Sequence, residues 1–287
     1  MLRNGIDDHG VKIRIAYFAP ASELNEELMR KYRANRLHVI RQFSYSTKHH
    51  NTIDMILMLN GIPVVALELK NQLTGQSVED SKRQWMEDRE PNEFIFHFNN
   101  RILAYFGVDL YEVAMTTQLQ KDKTFFIPFN QGSNGAGNVG GAGNPPVAEG
   151  EYVTGYFWKN ALRRDALLSI LQRYISVQKE EKIKIVVNKH GKEKEVKEES
   201  TKIIFPRYHQ LDVVEKLTAD TAENGAGKNY LIQHSAGSGK SNSIAWLTYR
   251  LASLHDANQK DVFDTNIVLN RDIQLMGWLR LSSIDHI

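Results

Sequence analysis

Asp54 and, fourteen positions later, Glu68-Leu69-Lys70 place two carboxylates and an ammonium in an otherwise apolar stretch, "IDMILMLNGIPVVALELK", residues 53 to 70. Each unpaired charge buried in such a strand costs on the order of several kcal/mol, so these side chains require partners. Two carboxylates at the end of a sheet can hold one or two Mg2+ ions. A lysine beside them can orient or activate an attacking water and offset charge on a scissile phosphate. The period of two in Glu68-x-Lys70 sets both side chains on one strand face. A surface strand edge carrying an ion pair is the plainer alternative. The preceding Asp54 and the tight turn between favour a metal site, with Asp54 and Glu68 as ligands and Lys70 acting on water and phosphate.

A second group lies in the last third, in "NYLIQHSAGSGKSNSIAWLTYRLASL". An apolar strand, a glycine-bearing turn and an amphipathic helix are the context of a phosphate-binding loop. Gly237-Ser238-Gly239 lets the main chain curl so that N–H groups and the positive helix end meet phosphate oxygens. Lys240 would reach the β and γ phosphates of ATP, and the Ser241 hydroxyl would ligate the nucleotide's Mg2+. His234 stands where the G-x-x-x-x-G-K-[ST] pattern usually has Gly or Ala. About thirty residues upstream, "IFPRYHQLDVVEKL" offers Gln210, whose amide suits bidentate reading of an adenine edge, and Phe205, whose ring could stack on the base.

The elements that must position these groups read as mixed α/β. Asn60-Gly61 marks a hairpin between two core strands. A strict two-residue turn would pair Asp54 with Leu67 and send Asp54 and Glu68 to opposite faces. Bringing them together needs a bulge or a longer connection, and Pro63, which has no ladder donor, favours an irregularity nearby. Residues 21 to 45 read as an amphipathic helix, and residues 77 to 89 as a helix with Ser77 as N-cap and Asp80 three residues on. The aromatic and β-branched run from Pro91 reads as further strands. Residues 130 to 150 hold seven glycines without periodicity and read as a mobile loop. A helix is expected from about Phe157 to Val177. The Lys/Glu-rich stretch after it reads as a solvated linker or exposed hairpin, since its glutamates would repel DNA phosphates.

The chain has 287 residues, 41% of them hydrophobic, enough for two domains at roughly 100 to 200 residues each. A net charge of +2 neither requires nor forbids nucleic acid. With no cysteine, disulfides and thiolate metal sites are excluded. The polar start "MLRNGIDDHG" has no apolar leader, and no run reaches the roughly 18 apolar residues that span a bilayer, so a cytoplasmic protein without a membrane partner is expected.

Asp54…Glu68-x-Lys70 resembles the core of PD-(D/E)xK nucleases, and Gln210 before the phosphate loop resembles the adenine-reading motif of superfamily 2 helicases. Together, "NGIPVVALELKN", "FPRYHQLDVVEKL" and "HSAGSGKS" resemble the amino-terminal part of the R (restriction and translocation) subunit of type I restriction enzymes. His234 is a form seen in that family. The resemblance implies a PD-(D/E)xK mixed sheet with flanking helices over residues 1–175, a charged linker over 176–200 and an incomplete RecA-like lobe over 201–287. It implies Mg2+- and ATP-dependent cleavage of unmodified double-stranded DNA, in a complex with modification and specificity subunits. The family also carries a Gln-x-x-x-Tyr element after the nuclease strands. Gln84 matches its first position and would support Lys70 or touch the DNA backbone, whereas Asp88 and Arg89 stand where Tyr is expected.

The second motor strand begins in "VFDTNIVLN", and the chain ends 47 residues after Lys240, without a D-E-x-H-type segment or a second lobe. A truncated motor that binds ATP weakly and hydrolyses it negligibly is expected. Two other classes share parts of this sequence pattern. A stand-alone helicase-nuclease of DNA repair would use the same chemistry, and a catalytically silent fragment would bind DNA or partners without holding metal.

Overall fold

The computed structural model describes residues 2–22, 24–132, 141–187, 193–235 and 237–269. In chain order its elements are β1 (Ile6–Asp8), β2 (Val11–Ile13), α1 (Glu26–Arg33), β3 (Leu37–Ser44), β4 (Thr52–Leu59), β5 (Ile62–Leu69), α2 (Val78–Glu87), β6 (Ala104–Val108), β7 (Val113–Thr116), β8 (Ile127–Pro128), α3 (Arg164–Ser169), β9 (Ser176–Val187), β10 (Glu193–Ile204), α4 (Tyr208–Asn224) and α5 (Lys240–Ala252). They gather into two compact units, one of residues 36–206 and one of residues 1–35 with 207–287. The first 35 residues, grouped with the sheet on sequence grounds, thus cluster with the later segment. Among the described residues no helix is long and apolar enough to cross a membrane.

The unit of residues 36–206 is built on a six-stranded mixed sheet in the order β3-β4-β5-β6-β7-β8. Only β5 and β6 run parallel; the other neighbours are antiparallel. A parallel pair needs a crossover, and α2 lies within it. Ser77 and Asp80 close the capping box read from the sequence, with the Ser77 N–H donating to Asp80 Oδ2 at 2.8 Å. The helix docks by small-residue contact and one buried polar anchor. A Cβ on Gly107 would lie 2.5 Å from Ser81 Oγ, so glycine lets α2 approach β6 this closely. Trp85 Nε1 donates to the Phe106 carbonyl at 3.0 Å.

Apolar packing covers the central strands β6 and β7 on both faces, which is why β6 reads "AYFGV" without polar alternation. Trp85 meets Tyr105 edge to face at 5.2 Å, and Ile53, Ile56 and Phe96 belong to the same cluster. Phe106, the next residue along β6, packs against Phe129, Phe157 and Phe205. The placement of Phe205 corrects the stacking expectation: its ring is core of the sheet unit rather than a platform for a base.

The helix expected over residues 21 to 45 is two elements, the eight-residue α1 and the edge strand β3. Asn35 Nδ2 donates to the Tyr32 carbonyl at 2.9 Å just past the helix end, and Val39, Ile40 and Phe43 then pair with β4. Ladder partners outweigh the helical spacing there. The helix expected near 157 to 177 is interrupted at Arg163, which is extended, and its flanking turns close five residues apart, as in Leu162 N–H to the Phe157 carbonyl. The charged stretch forms an antiparallel hairpin of β9 and β10 with cross-strand ion pairs Lys202–Glu180 and Lys197–Glu181. Of the glycine-rich stretch, residues 133–140 lie outside the described residues. Gly132 N–H bonds the Gly143 carbonyl across its base at 2.9 Å.

In the second unit β1 and β2 form a short hairpin, and α4 packs with α5, Arg250 reaching Glu215 at 3.1 Å. The strand expected before the glycine turn is absent: residues 229–235 are irregular, with Leu231 94% exposed. Residues 262–269 are likewise not a strand. A strand core needs ladder partners on its flanks, and among the described residues neither segment finds one.

Candidate active site

The turn between β4 and β5 has Asn60 at φ 51 and Gly61 at φ 85, the left-handed pair that a two-residue hairpin requires. Leu59 pairs with Ile62 and Met58 with Pro63, after which the register shifts so that Leu57 faces Val65 and Met55 faces Leu67. Val64 is the extra residue, next to the proline that could not donate to the ladder. One step further along, the bulged register sets Asp54 level with Glu68, on one face of the sheet, where an unbulged hairpin would have separated them.

Each carboxylate is held differently. Asp54 accepts from the Leu69 N–H at 2.8 Å through Oδ2 and from Gln42 Nε2 at 3.1 Å through Oδ1. Glu68 is fully buried beside Gly107. Arg89, only 3% exposed, donates to Glu68 Oε1 from Nε at 3.1 Å and from Nη2 at 2.5 Å. Nη2 also donates to the Thr52 carbonyl at 2.8 Å, and the guanidinium lies near the rings of Tyr45 and Trp85. Glu68 Oε2 is buried with no hydrogen-bond partner among the described residues. Burial pushes the Glu68 carboxyl up to about 7, the Arg89 cation pulls against that rise, and the nearby Asp54 adds to it.

Lys70 leaves the sheet end with its N–H on the Val108 carbonyl at 2.8 Å, and its Nζ donates to Gln84 Oε1 at 2.5 Å. Asp54, Glu68, Lys70 and Gln84 are therefore gathered at one end of β5 under α2. Two residues of this cluster were not singled out in the sequence, Arg89 and Gln42. The signal for Arg89 was the buried strand glutamate, which demands a cation, with an arginine just past the end of the following helix. Gln42 gave no signal.

The donor set fits a hard divalent cation. A buried carboxylate oxygen without a partner, a second carboxylate level with it and an adjacent ammonium are what a Mg2+ site keeping several of its own waters uses. Among the described residues no third His, Asp or Glu joins them. The elevated carboxyl has a measurable consequence in the metal-free chain. Its folded value lies above the unfolded 4.5, so its stabilising contribution is complete below pH 4.5 and is lost as pH rises through 7, by on the order of 3 kcal/mol. In chelator, the parent's melting temperature should fall between pH 5 and pH 8 by more than that of Glu68→Gln, which lacks this titration; equal changes over that interval would refute the shift.

The glycine turn lies in the other unit. Gly237 (φ 72) and Gly239 (φ 83) are left-handed, and α5 starts at Lys240 as expected. Lys240 Nζ rests on the carbonyls of Ser235 at 3.2 Å and His234 at 3.4 Å. Gln210 Nε2 donates to the carbonyls of Ser238 at 3.2 Å and Gly239 at 2.8 Å, while Oε1 accepts from the Arg207 N–H at 2.9 Å. Its amide thus braces the loop, and a Cβ on Gly239 would run into it. Ser238 Oγ is buried without a partner among the described residues, and Ser241 is exposed.

Residues 23–124, which contain Asp54, Glu68, Lys70, Gln84 and Arg89, match the family model described as type I restriction enzyme R protein N terminus. No curated protein matches the chain.

Proposed function

We propose, from the match of residues 23–124 to the type I restriction enzyme R protein N-terminal family, that the chain is the nuclease-bearing region of an R subunit, cutting unmodified double-stranded DNA with Mg2+. The observation that carries this reading is the bulge at Val64, which levels Asp54 with Glu68 and its unpartnered Oε2. Asp54 and Glu68 would hold the ion, which supplies positive charge against the scissile phosphate. Arg89 occupies one oxygen of Glu68 and leaves the other for the site. Lys70, steadied by Gln84, offers a cationic donor to the phosphate and to the attacking water. Gln84 acts through Lys70.

In the same reading Gly237, Ser238, Gly239, Lys240 and Ser241 form the phosphate site for ATP. Lys240 would exchange its loop carbonyls for β and γ phosphates, and Ser241 would meet the nucleotide's Mg2+. Adenine reading by Gln210 would require its amide to release part of the loop. ATP-driven translocation and cutting would take place in the assembly with modification and specificity subunits. Calorimetric titration with Mn2+ tests the metal site: the chain should bind, and Asp54→Asn should lose that binding at an unchanged melting temperature. A chain that takes up no Mn2+, or whose uptake ignores Asp54, would sink the nuclease reading and leave a silent binding domain in its place.

A further inference from the structure

Gln42 interrupts the β3–β4 ladder without changing its register. Arg41 pairs with Met55 and Phe43 with Ile53, so Gln42 stands directly opposite Asp54, yet these two do not pair. Its backbone lies at φ 49, in the left-handed region that side chains other than glycine and asparagine rarely adopt. The strain sits on the edge strand of the sheet. In this conformation the Gln42 amide is held between two groups of β4: its Nε2 donates to Asp54 Oδ1 at 3.1 Å, and its Oε1 accepts from Thr52 Oγ1 at 2.9 Å. Thr52 thus fixes which end of the amide faces Asp54, and only an N–H can be presented to that carboxylate.

We propose that Gln42 is a positioning residue for Asp54, held in a strained backbone so that a Thr52–Gln42–Asp54 relay aims the carboxylate at a divalent cation. The proposal rests on the metal-site reading above. A carboxylate with the Leu69 N–H on Oδ2 and the Gln42 amide on Oδ1 has little rotational freedom left, and it enters coordination already oriented. The unfavourable φ is retained for the amide's placement, since glycine at the same position would relieve it.

The test is a double-mutant cycle on the full chain, read by Mn2+ affinity and by melting temperature in chelator. Gln42→Gly should weaken Mn2+ binding about tenfold, the low end of the loss typical when a group orienting a ligand is removed, while the melting temperature holds or rises. Thr52→Val should weaken binding less, and should weaken it no further in the Gln42→Gly background, because it acts through the missing amide. Failure of the parent chain to bind Mn2+ would overturn the metal site and this proposal with it. Binding by the parent together with undiminished binding by Gln42→Gly would overturn the relay alone. A Gln42→Gly chain that loses affinity and melts clearly earlier would mark Gln42 as a structural residue, and additive losses from the two changes would break the relay at Thr52. Either result refutes the proposal.

Discussion

On the nuclease reading, Lys70→Ala should abolish DNA cleavage by the chain assembled with modification and specificity subunits and leave the fold in place. The structure separates Lys70 from the ion pair that could have given it a structural role. Glu68, two residues away on the same strand face, is paired with Arg89, and Lys70 Nζ is bound to the Gln84 amide oxygen instead. Removing the side chain costs one charge-assisted hydrogen bond at a half-buried position, worth roughly 1 to 3 kcal/mol of stability at most. In that reading the chemistry would lose a cation and a proton-handling group at the phosphate, worth about 10²- to 10⁴-fold in rate for general acid–base action alone. Plasmid cleavage by the reconstituted complex and thermal denaturation of the same variant separate the two roles. A stable variant that still cuts would mean that this cluster is not the nuclease site. Unfolding without cleavage would assign Lys70 to the scaffold.

What could be read from the sequence followed from interactions that are local along the chain. Asn60-Gly61 between two apolar runs specifies its own turn, and Ser77 with Asp80 specifies where α2 begins, so both appear where the residues place them. The facing of Asp54 and Glu68 was open because it depends on one residue, Val64, slipping out of register, and Pro63 signals only that something must give nearby. The strand within residues 21 to 45 was hidden because Leu37 and Ile40 keep helical spacing; only β4 as a neighbour makes β3 the better choice. Residues 229–235 show the converse, a strand-like apolar run that stays irregular where no ladder partner among the described residues meets it. Gln42 could not be anticipated at all, since nothing in its side chain favours a positive φ and its conformation follows from what surrounds Asp54.

Arg89 was marked only by the buried glutamate that demands a cation, because in the sequence it is one more charge in "MEDREP", and it carries the largest stability effect expected in the sheet unit. Arg89→Ala leaves the fully buried Glu68 without a cation and removes donors from both Glu68 Oε1 and the Thr52 carbonyl. Breaking one side of a buried ion pair costs roughly 3 to 5 kcal/mol, and at about 2 to 4 °C per kcal/mol for a unit of this size the melting temperature should fall by about 10 °C. The loss belongs to the stranded carboxylate rather than to the missing arginine. Arg89→Met combined with Glu68→Gln should therefore recover a large part of what Arg89→Met alone loses, as happens when both members of a buried pair are made neutral. Thermal denaturation of the two singles and the double in chelator measures the coupling. A double variant as unstable as the sum of the singles would show that Arg89 acts through its contacts with Tyr45, Trp85 and Thr52. In that case Glu68 would have to be held in place by the sheet alone.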